Sequence, residues 1–172
     1  MKEWGPTGGG GLPGLRLETK TIYTLYLAFS VIGFAVMGVL ASTRAGWAPG
    51  AIATYYIGDE SMGLYGKTAG ELIELTHFHL FAIPLFLFVT GHVFLLSRWP
   101  AGLKIGIVLA AFLGAAGLIA APWLIIRLSP HWSLLTLAAR MLLAGAFLVF
   151  LLVPLWEMWG ARRSGGAGEK AD

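Results

Sequence analysis

Four long apolar segments constrain the fold of this chain more than any other feature. They lie at residues 21–41, 71–97, 103–126 and 130–159. A helix of about 20 apolar residues crosses the ~30 Å hydrocarbon core of a bilayer, and each segment reaches that length. Charged residues make up only 12% of the 172 residues, so a soluble domain of this size could not bury the apolar remainder. The sequence therefore predicts an all-α membrane protein, a four-transmembrane-helix bundle over residues 21–160.

The segments between and beyond the spans are polar or rich in glycine. Residues 1–20 contain glycines and a Leu-Pro-Gly break instead of a continuous apolar run, which predicts a flexible cytoplasmic tail and no signal peptide. Residues 42–70 are predicted to form a loop on the outer face of the membrane. Residues 161–172 are short and polar, which predicts a disordered tail.

The distribution of Lys and Arg predicts the orientation of the bundle. Positive charges are enriched in the cytoplasmic flanks of membrane helices. One side carries eight of them and the other carries four, which predicts that both termini are cytoplasmic in a multi-pass protein of the cell inner (cytoplasmic) membrane. The eight are Lys2, Arg16, Lys20, Arg98, Lys104, Arg162, Arg163 and Lys170; the four are Arg44, Lys67, Arg127 and Arg140.

The third span carries small residues at every fourth position, Gly106, Ala110 and Gly114. Small residues at this spacing let two helix backbones approach closely in a membrane. The pattern predicts a tight helix contact along this face.

Composition and motifs exclude several classes of function. The chain has no cysteine, which excludes disulfides, thiolate metal sites and covalent c-type haem attachment. The sequence shows no Ser-His-Asp set, phosphate loop or His-Glu-x-x-His zinc motif. The basic residues flank apolar spans and form no single patch, so we expect no nucleic-acid partner.

The four histidines are the main candidates for chemistry, because ionisable groups within membrane spans are costly and often functional. His77, His79 and His92 lie on the second span, and His131 lies at the start of the fourth. On a regular helix His77 and His92 are about 60° apart around the axis and ~22 Å apart along it. His79 is turned about 200° from His77, so the two cannot chelate one small ion within a regular helix.

This arrangement favours b-type haem, whose iron takes two imidazoles from different helices. His77 and His131 are both predicted near the outer face, where we expect them to ligate one haem iron. Arg127 and Arg140 lie on the same side and are candidates for pairing with the propionates. His92 and His79 are the second candidate ligands, for one haem or for two, although no other histidine of the chain reaches the depth of His92.

The second span resembles the haem-binding helices of cytochrome b in quinol-oxidising complexes, which carry two histidines about fourteen residues apart. His92 follows His77 by fifteen positions and His79 by thirteen. The stretch at 71–97, ELIELTHFHLFAIPLFLFVTGHVFLLS, is also similar to small bacterial membrane proteins that accompany multihaem c-type cytochromes. These resemblances imply electron transfer.

The sequence therefore predicts a membrane electron-transfer subunit with haem b that links the quinone pool to an outer-side partner such as a c-type cytochrome, and that works with other membrane subunits instead of as a free-standing enzyme. Three alternatives remain open. The chain could be a cofactor-free structural or assembly subunit of a membrane complex. It could hold copper or iron through Glu74, His77 or His79, and His92, or it could bind chlorophyll through a membrane histidine.

Overall fold

The computed structural model of the protein describes residues 11–160. Five α-helices account for most of this part: α1 (Leu17–Arg44), α2 (Pro49–Ile57), α3 (Ala69–Leu95), α4 (Ala101–Arg127) and α5 (Ser133–Leu155). Short 3-10 helices cover Leu12–Gly14, Glu60–Met62 and Pro130–Trp132, and a π-helical turn, Trp156–Gly160, continues α5. Two short antiparallel strands, β1 (Gly58–Asp59) and β2 (Leu64–Tyr65), pair with each other.

Four of these helical segments are long and apolar enough to cross a membrane. They are Leu17–Arg44, Ala69–Leu95, Ala101–Arg127 and Pro130–Gly160, and at most a third of the most apolar stretch of each is buried inside the protein. The remaining apolar surface faces outward, as expected for helices surrounded by lipid. The predicted four-transmembrane-helix bundle is confirmed.

The most extensive helix contact joins α4 to α5. A Cβ atom added at Gly114 would lie 3.2 Å from Cγ of Leu143 and 3.4 Å from the carbonyl oxygen of Ala139. Glycine therefore lets the two backbones approach at this point. Gly106, predicted to share the same contact, has no atom within 4 Å of such a Cβ, so the close contact covers only the later part of the predicted face.

The predicted outer loop folds into a compact cap that we call the α2 end of the bundle. Ile52 and Tyr56 of α2 pack with Leu72 of α3 and Ile125 of α4 in one buried cluster. After the β-hairpin, α3 begins with a capping box: the Thr68 hydroxyl accepts from the backbone of Glu71, whose carboxylate accepts in return from the backbone N–H of Thr68. These reciprocal bonds satisfy backbone donors that a helix start leaves free.

At the opposite end of the bundle, residues 11–20 were predicted to belong to a flexible tail, but they form a 3-10 turn and the start of α1. Residues 1–10 and 161–172 lie outside the described part. Leu12 is fully buried with Leu27 of α1 and Met158. Lys20 donates from Nζ to the carbonyl oxygen of Met158 at 2.9 Å. Burial of one large apolar side chain explains why this glycine-rich stretch is held against the bundle.

The first span, α1, is attached mainly at this opposite end. Phe34 stacks on Phe147 of α5 with ring centroids 4.2 Å apart. Beyond Phe34, most side chains of α1 are exposed, and neither Gly33 nor Gly38 has an atom within 4 Å of an added Cβ. The part of α1 beyond Phe34 therefore packs little against the other helices.

Candidate functional site

The rotation of α3 about its own axis decides which histidines face the bundle. Leu72, Leu87 and Phe94 are buried on one side of this helix. On the same side, the hydroxyl of Thr76 accepts a hydrogen bond from Nε1 of Trp123 in α4 at 2.8 Å. Such an interhelical bond fixes the register of two membrane helices, and it turns the neighbouring His77 outward.

His77 and His92 both lie on the exposed face of α3. The ring of His77 contacts Phe81, with centroids 5.1 Å apart, and the ring of His92 stacks near Phe88 at 6.3 Å. Both phenylalanines are about two-thirds exposed. His77 and His92 therefore share one face of α3 at two depths, as expected. This face points away from the other four helices.

His79 lies on the inward side of α3 and is half-buried. Its Nδ1 atom is 2.7 Å from the carbonyl oxygen of Leu75, one turn earlier on the same helix. Because a carbonyl oxygen only accepts, Nδ1 must carry the proton in this contact. This intrahelical bond satisfies Nδ1 and leaves Nε2 of His79 without a hydrogen-bond partner in the described part of the chain.

His131 lies in the Pro130–Trp132 turn before α5 and lines a shallow cleft of about 200 Å³ with the first residues of α2. No residue of α3 lines this cleft, and α2 packs against both the start of α3 and the turn that carries His131. The structure therefore does not bring His77 and His131 together as predicted. The sequence prediction overlooked that residues 49–57 fold back as a helix at this end.

Arg140, predicted as a propionate partner, already has a structural role. Nη1 donates to the carbonyl oxygen of Gly46 at 2.7 Å, and the guanidinium lies 5.4 Å from the centre of the Trp47 ring. Burial raises the pKa of the nearby Tyr56 to about 12, with a smaller contribution from Tyr55 and an opposing one from Arg140, so Tyr56 remains a neutral phenol. Arg140 thus ties the segment between α1 and α2 to α5.

Arg127 ends α4 and is exposed. Its charge is therefore accessible at the α2 end of the bundle. Arg127 lies shortly before the Pro130–Trp132 turn that carries His131, and α4 contacts this turn.

Within residues 11–160, no three His, Asp or Glu side chains come close enough to hold one metal ion. Glu74 lies one turn before His77 on the same exposed face, but no hydrogen bond or ion pair joins these two described residues. The copper or iron site considered from the sequence therefore lacks an assembled ligand set in the described part of the chain.

Sequence reasoning missed one buried carboxylate. Glu157 is only 8% exposed, and both of its carboxylate oxygens accept from the backbone N–H of Arg98 at 3.0 Å. It lies in the π-helical turn after α5 and caps the turn between α3 and α4. The available signal was a lone acidic residue at the end of a long apolar run, where a charge must find a partner.

The fold and these sites together define a multi-pass helical membrane protein. Residues 46–165 match the model of the Aq_1264_TM family, described as a transmembrane helical domain. Because the match covers well over half of the chain, the protein belongs to this family. Searches of curated proteins and of solved structures found no match.

Proposed function

We propose that the chain is a membrane-embedded electron-transfer subunit that holds b-type haem against the exposed face of α3, with the remaining axial ligands supplied by a neighbouring subunit. The observation that supports this proposal best is the pair of outward imidazoles, His77 and His92. Both lie within an apolar span, and neither has a hydrogen-bond partner in the described part of the chain. An imidazole facing lipid in this state is costly, so a ligand or partner at this face would stabilise it.

The chemistry of these two side chains fits haem iron. A neutral imidazole with no competing partner is the usual axial ligand of a b-type haem. Phe81 and Phe88, which contact the two rings, offer exposed apolar area that a porphyrin would cover. When bound, haem supplies a one-electron ferric–ferrous couple.

The separation of the two histidines suits transfer across the membrane. Along a regular helix they are ~22 Å apart, so one lies towards the α2 end and the other towards the opposite end. Two haems at these depths would place one near each surface, within reach of the quinone pool and of a partner on the outer side, such as a c-type cytochrome. The positive-inside count favours the α2 end as the outer one.

A matched set of histidine variants tests the proposal in the protein purified with its native partners. Changing His77 to Ala or His92 to Ala should each remove one low-spin haem signal from the visible spectrum. Changing His131 to Ala should leave both signals, because His131 lies in the separate cleft at the α2 end. His79→Gln is the control on the same helix.

Two results would contradict this assignment. Loss of haem in the His79 variant, with full haem in the His77 variant, would indicate that the cofactor binds on the inward face of α3. Full haem in both the His77 and the His92 variants would show that the exposed face of α3 does not bind haem.

A second function, a cofactor-free structural subunit, is favoured by the open surface of α1. Gly33 and Gly38 are the kind of small residues that admit a partner helix, and nothing in the described chain packs against them. A complex that contains the protein in stoichiometric amount, shows no haem and dissociates when Gly33 is replaced by Leu would establish this function instead.

A further inference from the structure

We infer that the cleft beside His131 binds a phosphate group, independently of any haem on α3. The cleft has a volume of about 200 Å³ and opens at the α2 end of the bundle, where α2 meets the turn before α5. Pro49, Ala53 and Leu134 give it apolar walls, while Gly50, His131 and Ser133 supply its polar groups.

The start of α2 provides backbone donors without acceptors. Residue Ala48 precedes this nine-residue helix and has no side chain able to cap it. The helical ladder begins with Ile52, whose N–H donates to the carbonyl oxygen of Ala48 at 3.0 Å. The N–H groups of Gly50 and Ala51 have no acceptor in the described part of the chain. Free N–H groups and the positive end of a helix dipole attract anions.

The hydroxyl of Ser133 gives independent support for a ligand. Ser133 is only 3% exposed and lines the cleft, and no described residue forms a hydrogen bond with its hydroxyl. The fully buried hydroxyl oxygens without a partner in the described part of the chain are those of Ser97 and Thr136, so the Ser133 hydroxyl is accessible from the cleft and available to a ligand there. A ligand acceptor in the cleft would satisfy this hydroxyl together with the N–H of Gly50.

The surrounding charge favours a phosphate over a cation. His131 can donate from its ring, and Arg127 lies at the end of α4, which contacts the turn that carries His131. No carboxylate lines the cleft. Either a phospholipid headgroup or free phosphate would supply the acceptor oxygens. The apolar walls beside a membrane span favour the headgroup, whose glycerol and first methylenes would lie against them.

Native mass spectrometry of the full chain in detergent measures this binding directly. Phosphatidylglycerol should bind more tightly than dioleoylglycerol, which has the same chains and no phosphate. Ser133→Ala should weaken phosphatidylglycerol binding by about tenfold, the scale of one hydrogen bond to a charged group. Gly50→Pro should also weaken it, because proline fits the first turn of a helix but removes the N–H.

Two matched variants serve as controls. Gly50→Ala keeps the N–H and should retain binding. Ser97→Ala removes a buried, unpartnered hydroxyl that lies beyond the C-terminal end of α3, away from the cleft, and should also retain binding. Displacement of the lipid by millimolar inorganic phosphate would identify the free anion as the ligand, whereas resistance to it would identify the lipid. Equal binding of phosphatidylglycerol and dioleoylglycerol, or equal effects of Ser133→Ala and Ser97→Ala, would overturn the inference.

Discussion

Replacing Gly114 by Leu should destabilise the bundle strongly, because this glycine lies in a tight contact between α4 and α5. The first added carbon atom would lie 3.2 Å from Cγ of Leu143, 3.4 Å from the carbonyl oxygen of Ala139 and 3.5 Å from Cβ of Leu142. The three further carbon atoms of leucine would have to displace one helix from the other. Overpacking a tight contact costs about 1–3 kcal/mol. We expect the upper end of this range, since a backbone atom is among the neighbours.

Gly106→Leu is the matched control on the same helix. No atom lies within 4 Å of a Cβ added there, so its effect on the free energy of unfolding should stay within about 0.5 kcal/mol. Unfolding in mixed micelles by increasing dodecyl sulfate, followed by the fluorescence of the seven tryptophans, measures both variants. Equal destabilisation by the two substitutions, or wild-type stability for Gly114→Leu, would refute this account of the α4–α5 contact.

Three further predictions concern the two ends of the bundle. Glu157→Leu should cost roughly 1–3 kcal/mol in the same unfolding assay, because it removes the charged acceptor of the Arg98 backbone N–H; an unchanged midpoint would contradict the capping role. Gly66→Ala should destabilise the α2 end, since the added Cβ would collide with the carbonyl oxygen of Ile57; faster backbone hydrogen exchange in residues 49–68 is the expected signal. A cysteine introduced at Lys67 should react with an impermeant thiol reagent from outside intact cells, and one at Arg163 should not. The reverse pattern would invert the topology.

The spans could be predicted from sequence because hydropathy over about 20 residues depends only on composition along the chain. The rotation of α3 could not. This helix is apolar around its whole circumference: Phe78 and Phe81 are exposed, whereas Phe94 is buried. No hydrophobic periodicity therefore distinguishes its inner face from its outer one. Thr76, whose bond to Trp123 fixes this rotation, gave no recognisable signal before the neighbouring helices were known.

The sequence indicated the candidate residues of the site but not which of them lie together. Three histidines on one span indicated a function for α3, and their angular spacing correctly placed His77 and His92 on a common face. The expected pairing of His77 with His131 depended on how residues 42–70 fold, and the prediction of a loop does not specify that fold. Because α2 folds back against both α3 and the turn before α5, His131 belongs to a different surface.

The haem content of the protein purified with its native partners tests the proposed function most directly. Extracted haem should be non-covalently bound protoporphyrin IX, because the chain has no cysteine for thioether attachment. The reduced-minus-oxidised spectrum should show a sharp low-spin band that falls by one haem equivalent in His77→Ala and by one in His92→Ala. A complex that contains this chain in stoichiometric amount and shows no such haem, or whose spectrum is unchanged in both variants, would contradict the account.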